Sequence, residues 1–175
     1  MAADYTHVAF LRAIGPATHK VMPMTAFRDA CAGAGLANAK TFIATGNLLF
    51  TSLASERDIL GKISGVVSSF GLGNEAYVRT KGEIAAILSA NPMPDAAQAH
   101  PNHLLVLMLD KAVDAQALEA WPGPERIIAN GRDIYIDYPL DVGHSKLTPS
   151  VIERRLGARG TARNWNTMTK LNAKF

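Results

Sequence analysis

Apolar positions recur along the chain in two spacings, alternate and three-to-four-residue, and these divide it into short strands and helices. Tyr5 to Arg12 reads as a strand with Val8 and Phe10 on one face, broken by Gly15-Pro16. Pro23 opens a helix to about Ala34 whose inward stripe is Met24, Phe27, Ala30 and Cys31. Residues 40–44 and 48–50 read as the strands of a hairpin around Thr45-Gly46-Asn47. Ser52 or Ser55 starts a helix to about Phe70, with Ile59, Ile63 and Val66/Val67 inward, and residues 76–79 form the next strand. The order β-α-β-β-α-β is the split βαβ, ferredoxin-like arrangement.

Thr80-Lys81-Gly82-Glu83 is a capping box that begins a helix to about Ser89. Residues 91–101 hold three prolines and small polar residues and read as a linker. Beyond it the spacing predicts a strand over 102–109, a helix over 114–121 and a strand over 126–130. An Asn130-Gly131 turn and a strand over 132–138 follow. Thr148 reads as an N-cap with Pro149 at the first helical position, and Gly157 suits the left-handed residue that ends that helix. Asn164 caps a last helix, with Trp165, Met168 and Leu171 on its apolar face and Arg163, Asn166 or Thr167, Lys170 and Lys174 opposite. This second run, β-α-β-β-α, repeats the pattern of the first without repeating its sequence.

The predicted fold is α+β: two ferredoxin-like halves packed together, with the C-terminal helices closing the core. The first half is 1–90 and the second 102–175. Leu104 to Leu109 is apolar at every position, which predicts a strand buried on both faces. Trp165 is predicted to be a buried anchor of its helix.

At 175 residues and 48% hydrophobic, the chain can bury a core of its own. A single cysteine, Cys31, excludes an internal disulfide and fits a reducing compartment. The first five residues carry no basic region followed by an apolar stretch, so no secretory signal is expected, and no apolar run is long enough to cross a bilayer. The net charge of +3 conceals an asymmetry: residues 144–175 carry seven Lys/Arg and one acid, while the remainder is net negative. A basic segment on an acidic body points to an anionic partner.

The candidate chemistry gathers at element ends. Arg12 closes the first strand before a loop leading to Lys20, and Asn47 sits at a hairpin tip. Ser145 and Lys146 precede one helix start; Arg163, Asn164, Asn166 and Lys170 surround another. Helix starts offer unpaired N–H groups, and a nearby Lys or Arg completes an anion cradle. His100 and His103 lack a joining carboxylate or thiol in sequence, so no metal site is expected there. Asp141, His144 and Ser145 are triad residue types without a nucleophile-elbow signature. No P-loop or dinucleotide glycine motif occurs, and no cofactor is implied.

Five runs together resemble a bacterial family, domain of unknown function 1697. They are Phe10-Leu11-Arg12-Ala13-Ile14, Lys20 to Met24, Thr41 to Asn47, Ser145-Lys146-Leu147-Thr148 and Thr161 to Thr167. This chain departs from the family's Phe-Leu-Arg-Gly-Ile-Asn run and following glycine pair, carrying Ala13, Gly15 and Ala17-Thr18 there. The resemblance implies a bacterial cytoplasmic protein of duplicated ferredoxin-like fold with no assigned activity. Residue chemistry adds an expected small phosphate-bearing or other anionic ligand, bound at a basic site between the halves. The alternatives are a small enzyme acting on a phosphorylated or acyl substrate and, more weakly, a nucleic-acid-binding module, since no aromatic-rich strand of the RNA-platform type is present.

Overall fold

The structure, a computed structural model, describes residues 4–114 and 116–175. It forms two compact units: one runs to Ile84 and takes in Lys174–Phe175, and the other is Ala85–Ala173. Each contains a four-stranded antiparallel sheet, and the fold is α+β, as the sequence predicts.

In the first unit the chain runs β1 (His7–Leu11), α1 (Pro16–Val21), α2 (Met24–Gly33), β2 (Ala37–Phe42), β3 (Asn47–Thr51), α3 (Glu56–Ser69) and β4 (Ala76–Thr80). Strand order is β2-β3-β1-β4. Ala9 and Leu11 of β1, Leu48 and Phe50 of β3 and Val78 of β4 share a core with Phe27 and Cys31 of α2 and Ile59, Ile63 and Val67 of α3. The helical spacings therefore do what they predict. Ser55, rather than Ser52, caps α3 by accepting from Asp58 N. Helix α1 is not foreseen: Pro16 reads as a breaker but occupies the first helical position, where its missing N–H costs nothing.

Thr80 and Glu83 form the reciprocal capping box of α4 (Lys81–Ser89): Thr80 Oγ1 accepts from Glu83 N at 3.1 Å, and Thr80 N donates to Glu83 Oε2 at 2.8 Å. The boundary between the units falls inside this helix. Residues 91–101, read as linker, contain a short helix, α5 (Pro94–Ala99), with Pro94 at its start and Ala96 buried. Proline there begins an element rather than preventing one.

The second unit continues with β5 (Leu104–Leu109), α6 (Gln116–Glu119), β6 (Arg126–Asn130), β7 (Asp133–Asp137), α7 (Pro149–Leu156), β8 (Gly160–Asn164) and α8 (Trp165–Asn172). Part of the predicted helix 114–121, Ala115, lies outside the described residues. Strand order is β6-β7-β5-β8, the same topology as the first sheet. All six residues of β5 are buried, as their unbroken apolar run requires. Leu105, Leu107, Ile134 and Ile136 pack with Ile152 of α7, while α8 packs on β5 and β8.

Strand β8 escapes the sequence reading because Gly-Thr-Ala-Arg-Asn has no apolar alternation. It completes the second β-α-β-β-α-β unit by pairing with β5, Val106 opposite Arg163. Caps at both C-terminal helices are as expected. Thr148 accepts from Val151 N, Gly157 ends α7 at φ 61°, and Asn164 accepts from Thr167 N. Met168 and Leu171 are buried; Trp165 is only partly so, because it begins the helix at the rim of the sheet.

Candidate functional site

The nine candidate residues divide between the units, and local bonds decide what each can do. In the first unit the end of β1 and the β2–β3 turn are adjacent: Leu11 N donates to Gly46 O at 2.7 Å, and Phe10 pairs with Asn47. Asn47 is buried, and its amide donates to Phe42 O at 2.9 Å and Thr45 Oγ1 at 3.1 Å, which closes the turn from inside. Gly46 has φ 80°, and a Cβ there would lie 2.6 Å from Ile14 Cγ1. Lys20 is exposed in the last turn of α1. Arg12 is half-buried beside Tyr77 and Glu75; burial, with the Glu75 charge, pushes the Tyr77 phenol up to about 12 against the opposing effect of Arg12.

The loop after β1 carries backbone strain. Ala13 has φ 58° and Ile43, on the neighbouring turn, φ 59°. Asn74 Nδ2 holds the first loop by donating to Arg12 O and Ala13 O, and Thr18 Oγ1 also donates to Ala13 O. Ala13 thus holds a left-handed conformation that glycine adopts without steric cost.

In the second unit the basic residues part company. Arg163 points into the fold: its Nη1 donates to Ala162 O at 2.8 Å and Thr161 Oγ1 at 3.0 Å, and burial pulls its guanidinium down to about 10. Asn164 spends its side chain on the α8 cap, and Asn166 donates to Asn102 Oδ1. Lys170 is exposed on α8. None of these four lines the cavity that holds Ser145 and Lys146.

That cavity, about 410 Å³, is lined by residues 121–125, 138–141 and 144–146. Its walls are mainly apolar: Trp121, three prolines and the exposed Leu140. Arg155 stacks on Trp121, its guanidinium 5.0 Å from the ring centroid. Three turn-forming segments build the walls, among them a short 3-10 turn over Val142–His144 capped by Asp141. Tyr138 anchors the floor by donating its hydroxyl to Leu147 O at 2.8 Å.

Polar groups inside are mutually engaged. Ser145 Oγ donates to Glu125 Oε1 and accepts from Leu147 N at 2.9 Å. The Trp121 indole N–H donates to Glu125 Oε2 at 2.7 Å. Partial burial opposes ionisation of Glu125, but the Ser145 and Trp121 bonds outweigh it and hold the carboxyl below its ordinary range. Asp141 accepts from His144 Nδ1 at 2.7 Å. Asp141, His144 and Ser145 do not form a triad, because the Ser145 proton goes to Glu125 and not to His144. Glu125 and Trp121 are the residues that sequence reasoning misses. The Pro122-Gly123-Pro124 run announces a loop but not that it folds back onto Ser145, twenty positions away.

His100, though not His103, is joined to a carboxylate after all, one supplied by the sheet. The buried Asp137 accepts from His100 Nε2 at 2.7 Å and from Arg126 Nε and Nη2 at 3.0 and 2.8 Å, while Arg126 also grips Asp95. This network fastens α5 to β6 and β7. Among the described residues no group of three or more His, Cys, Asp or Glu could hold a metal ion, and no helix is long and apolar enough to cross a membrane.

The whole chain is similar in structure to a conserved bacterial protein, SP0830, from Streptococcus pneumoniae, with TM-score 0.76 at 18% identity over 98% of both chains. That likeness establishes the fold. No functionally curated protein matches the chain. A family model matches residues 5–135, a span that includes the β1 loop and the Thr41–Asn47 turn and stops before the Ser145–Thr148 and Thr161–Thr167 runs. Covering most of the chain, that match makes this protein a member of the family described as proteins of unknown function, DUF1697.

Proposed function

We propose that the protein binds a small organic anion in the Trp121–Lys146 cavity, its apolar body against Trp121, Pro139 and Leu140 and its negative group at Lys146. One observation carries the reading. A cavity of ligand size is walled by apolar groups, and its one ammonium, Lys146, has no bond to another described residue. The nearby carboxylates favour a single negative charge over a phosphate. Glu125 stays ionised between its two neutral donors and Asp141 carries its charge at the rim, so a dianion would meet repulsion that a carboxylate meets less. Arg163, spent on Ala162 and Thr161, stands outside this ligand site. A cytoplasmic location fits the buried Cys31, whose thiol burial pushes up to about 12 and so protects from oxidation.

The test is melting temperature against ligand. A site filled to 100 times its dissociation constant stabilises by about 2.7 kcal/mol. 4-Phenylbutyrate raises the melting temperature of the wild type and of Lys170→Ala, and Lys146→Ala abolishes the rise. A rise with phenyl phosphate alone would restore the phosphate reading, and a rise with long RNA or DNA alone, steeply salt-dependent, would restore the nucleic-acid one. No rise with any of these would remove the ligand reading altogether.

A further inference from the structure

Ser145 has the surroundings of an activated hydroxyl. Its Oγ donates to Glu125 Oε1, and the Trp121 indole holds the other carboxylate oxygen at 2.7 Å. A nucleophile bonded to a base, with a third group orienting the base, is the arrangement that covalent catalysts share on unrelated folds. The Leu147 N–H fixes the serine oxygen from another side at 2.9 Å. With one proton given and one bond accepted, a lone pair remains to attack. The residue that follows the nucleophile, Lys146, also lines the cavity, and its backbone N–H makes no bond to a described residue. A backbone donor at that position, with an ammonium beside it, is what a developing oxyanion needs.

We infer that Ser145 transfers the acyl group of a small carboxylic ester, with Glu125 as its base and Lys146 stabilising the oxyanion. This rests on the ligand-binding reading, since the bound carboxylate is then the product. In the first step Glu125 takes the Ser145 proton while Oγ bonds to the carbonyl carbon, and the carbonyl π pair moves onto the oxygen at Lys146. Collapse breaks the bond to the alcohol, which leaves with the proton held by Glu125. Water then gives a proton to Glu125 and bonds to the acyl carbon, and Ser145 departs, recovering that proton. Ester and water become acid and alcohol, with nothing else consumed. Trp121 acts through Glu125 and is a positioning residue.

The experiment uses the p-nitrophenyl ester of 4-phenylbutyric acid with the whole chain, following p-nitrophenolate release and the mass of the intact protein. The expected result is a burst, one acyl group per chain, mapped to Ser145. Glu125→Gln slows the burst by about 10²–10⁴-fold, and Ser145→Cys restores acylation at the same position where Ser145→Ala abolishes it. Slowing by His144→Ala with none by Glu125→Gln would overturn the assignment of the base. Binding of 4-phenylbutyrate without acylation of the folded wild type would overturn the catalytic proposal and leave the ligand reading standing. Acylation of Ser145 without measurable 4-phenylbutyrate binding would do the reverse. Acylation confined to lysines would overturn the proposal outright.

Discussion

Arg79 and Arg163 occupy the same place in the two sheets. Arg79 on β4 pairs with Val8 of β1, and Arg163 on β8 pairs with Val106 of β5. Both are buried, and in each the guanidinium donates to the carbonyl of the preceding residue, Val78 at 2.9 Å and Ala162 at 2.8 Å. The next residue in each case, Thr80 or Asn164, caps a helix whose buried positions also coincide: Ile84 and Ile87 in α4, Met168 and Leu171 in α8. The arginine in the basic C-terminal segment is therefore a repeated framework residue.

Replacing either arginine by methionine keeps most of the packing and removes the donors. A carbonyl left without its partner in a buried site costs about 1–3 kcal/mol. Arg79→Met and Arg163→Met should each lose a similar amount of stability within that range, seen as lowered urea midpoints. Unchanged midpoints in both would mean that relief from burying the charge offsets the lost bonds.

The same comparison explains what the sequence conceals. Helix faces such as Ile59/Ile63/Val67 are written in local spacing and are read correctly. The repeat is not, because Tyr77-Val78-Arg79-Thr80 and Thr161-Ala162-Arg163-Asn164 share one identity and a register, and register exists only once strands pair. Ser145 and Lys146 are legible as loop residues beside a helix start. Glu125, the partner of Ser145, is not, since only the fold brings Pro124-Glu125 to Ser145. Charge counting, for its part, treats Arg163 and Lys146 alike, whereas burial separates them.

Glu125 should leave a mark on stability at low pH. Its folded pKa lies below the ordinary carboxylate value, so the folded state binds its proton more weakly than the unfolded chain does. Its contribution is fully present above the unfolded value of about 4.3 and is lost as pH falls through the depressed folded value. Glu125→Gln should therefore flatten the loss of stability as pH falls below about 4.3 relative to wild type, read from urea midpoints across that range. Parallel curves for the two proteins would show that the Ser145 and Trp121 bonds do not stabilise the charged form.

On α8 the order of importance along the apolar face is the reverse of side-chain size. Met168 is fully buried, whereas Trp165 keeps part of its ring exposed. Met168→Ala should cost about 2–5 kcal/mol, the usual penalty for emptying a core site. Trp165→Ala removes more atoms, but from a site that water can refill, and should cost less than Met168→Ala in the same denaturant series. A larger loss at Trp165 would mean that the ring, not the methionine, carries the helix.

Ala13 and Ile43 offer substitutions with the opposite sign to most. Both hold left-handed backbone, at φ 58° and 59°, a conformation that costs an L-residue about 1–2 kcal/mol. Ala13 is exposed and Ile43 is 47% exposed, so neither loses much burial on truncation. Glycine pays an entropic cost of about 0.5–1 kcal/mol for its extra freedom when unfolded, which is smaller than the relief. Ala13→Gly should thus be neutral to stabilising, by up to about 1 kcal/mol. Ile43→Gly should gain less, because the half of its side chain that is covered gives up some apolar contact. Gly46→Ala in the same turn is the converse: it forces φ 80° on an L-residue and drives a Cβ to 2.6 Å from Ile14 Cγ1 and 2.9 Å from Leu11 Cβ. Melting temperatures should therefore rise or hold for Ala13→Gly and fall for Gly46→Ala. A fall for Ala13→Gly as large as that for Gly46→Ala would show that the loop after β1 is held by contacts of the Ala13 methyl and not against a backbone penalty.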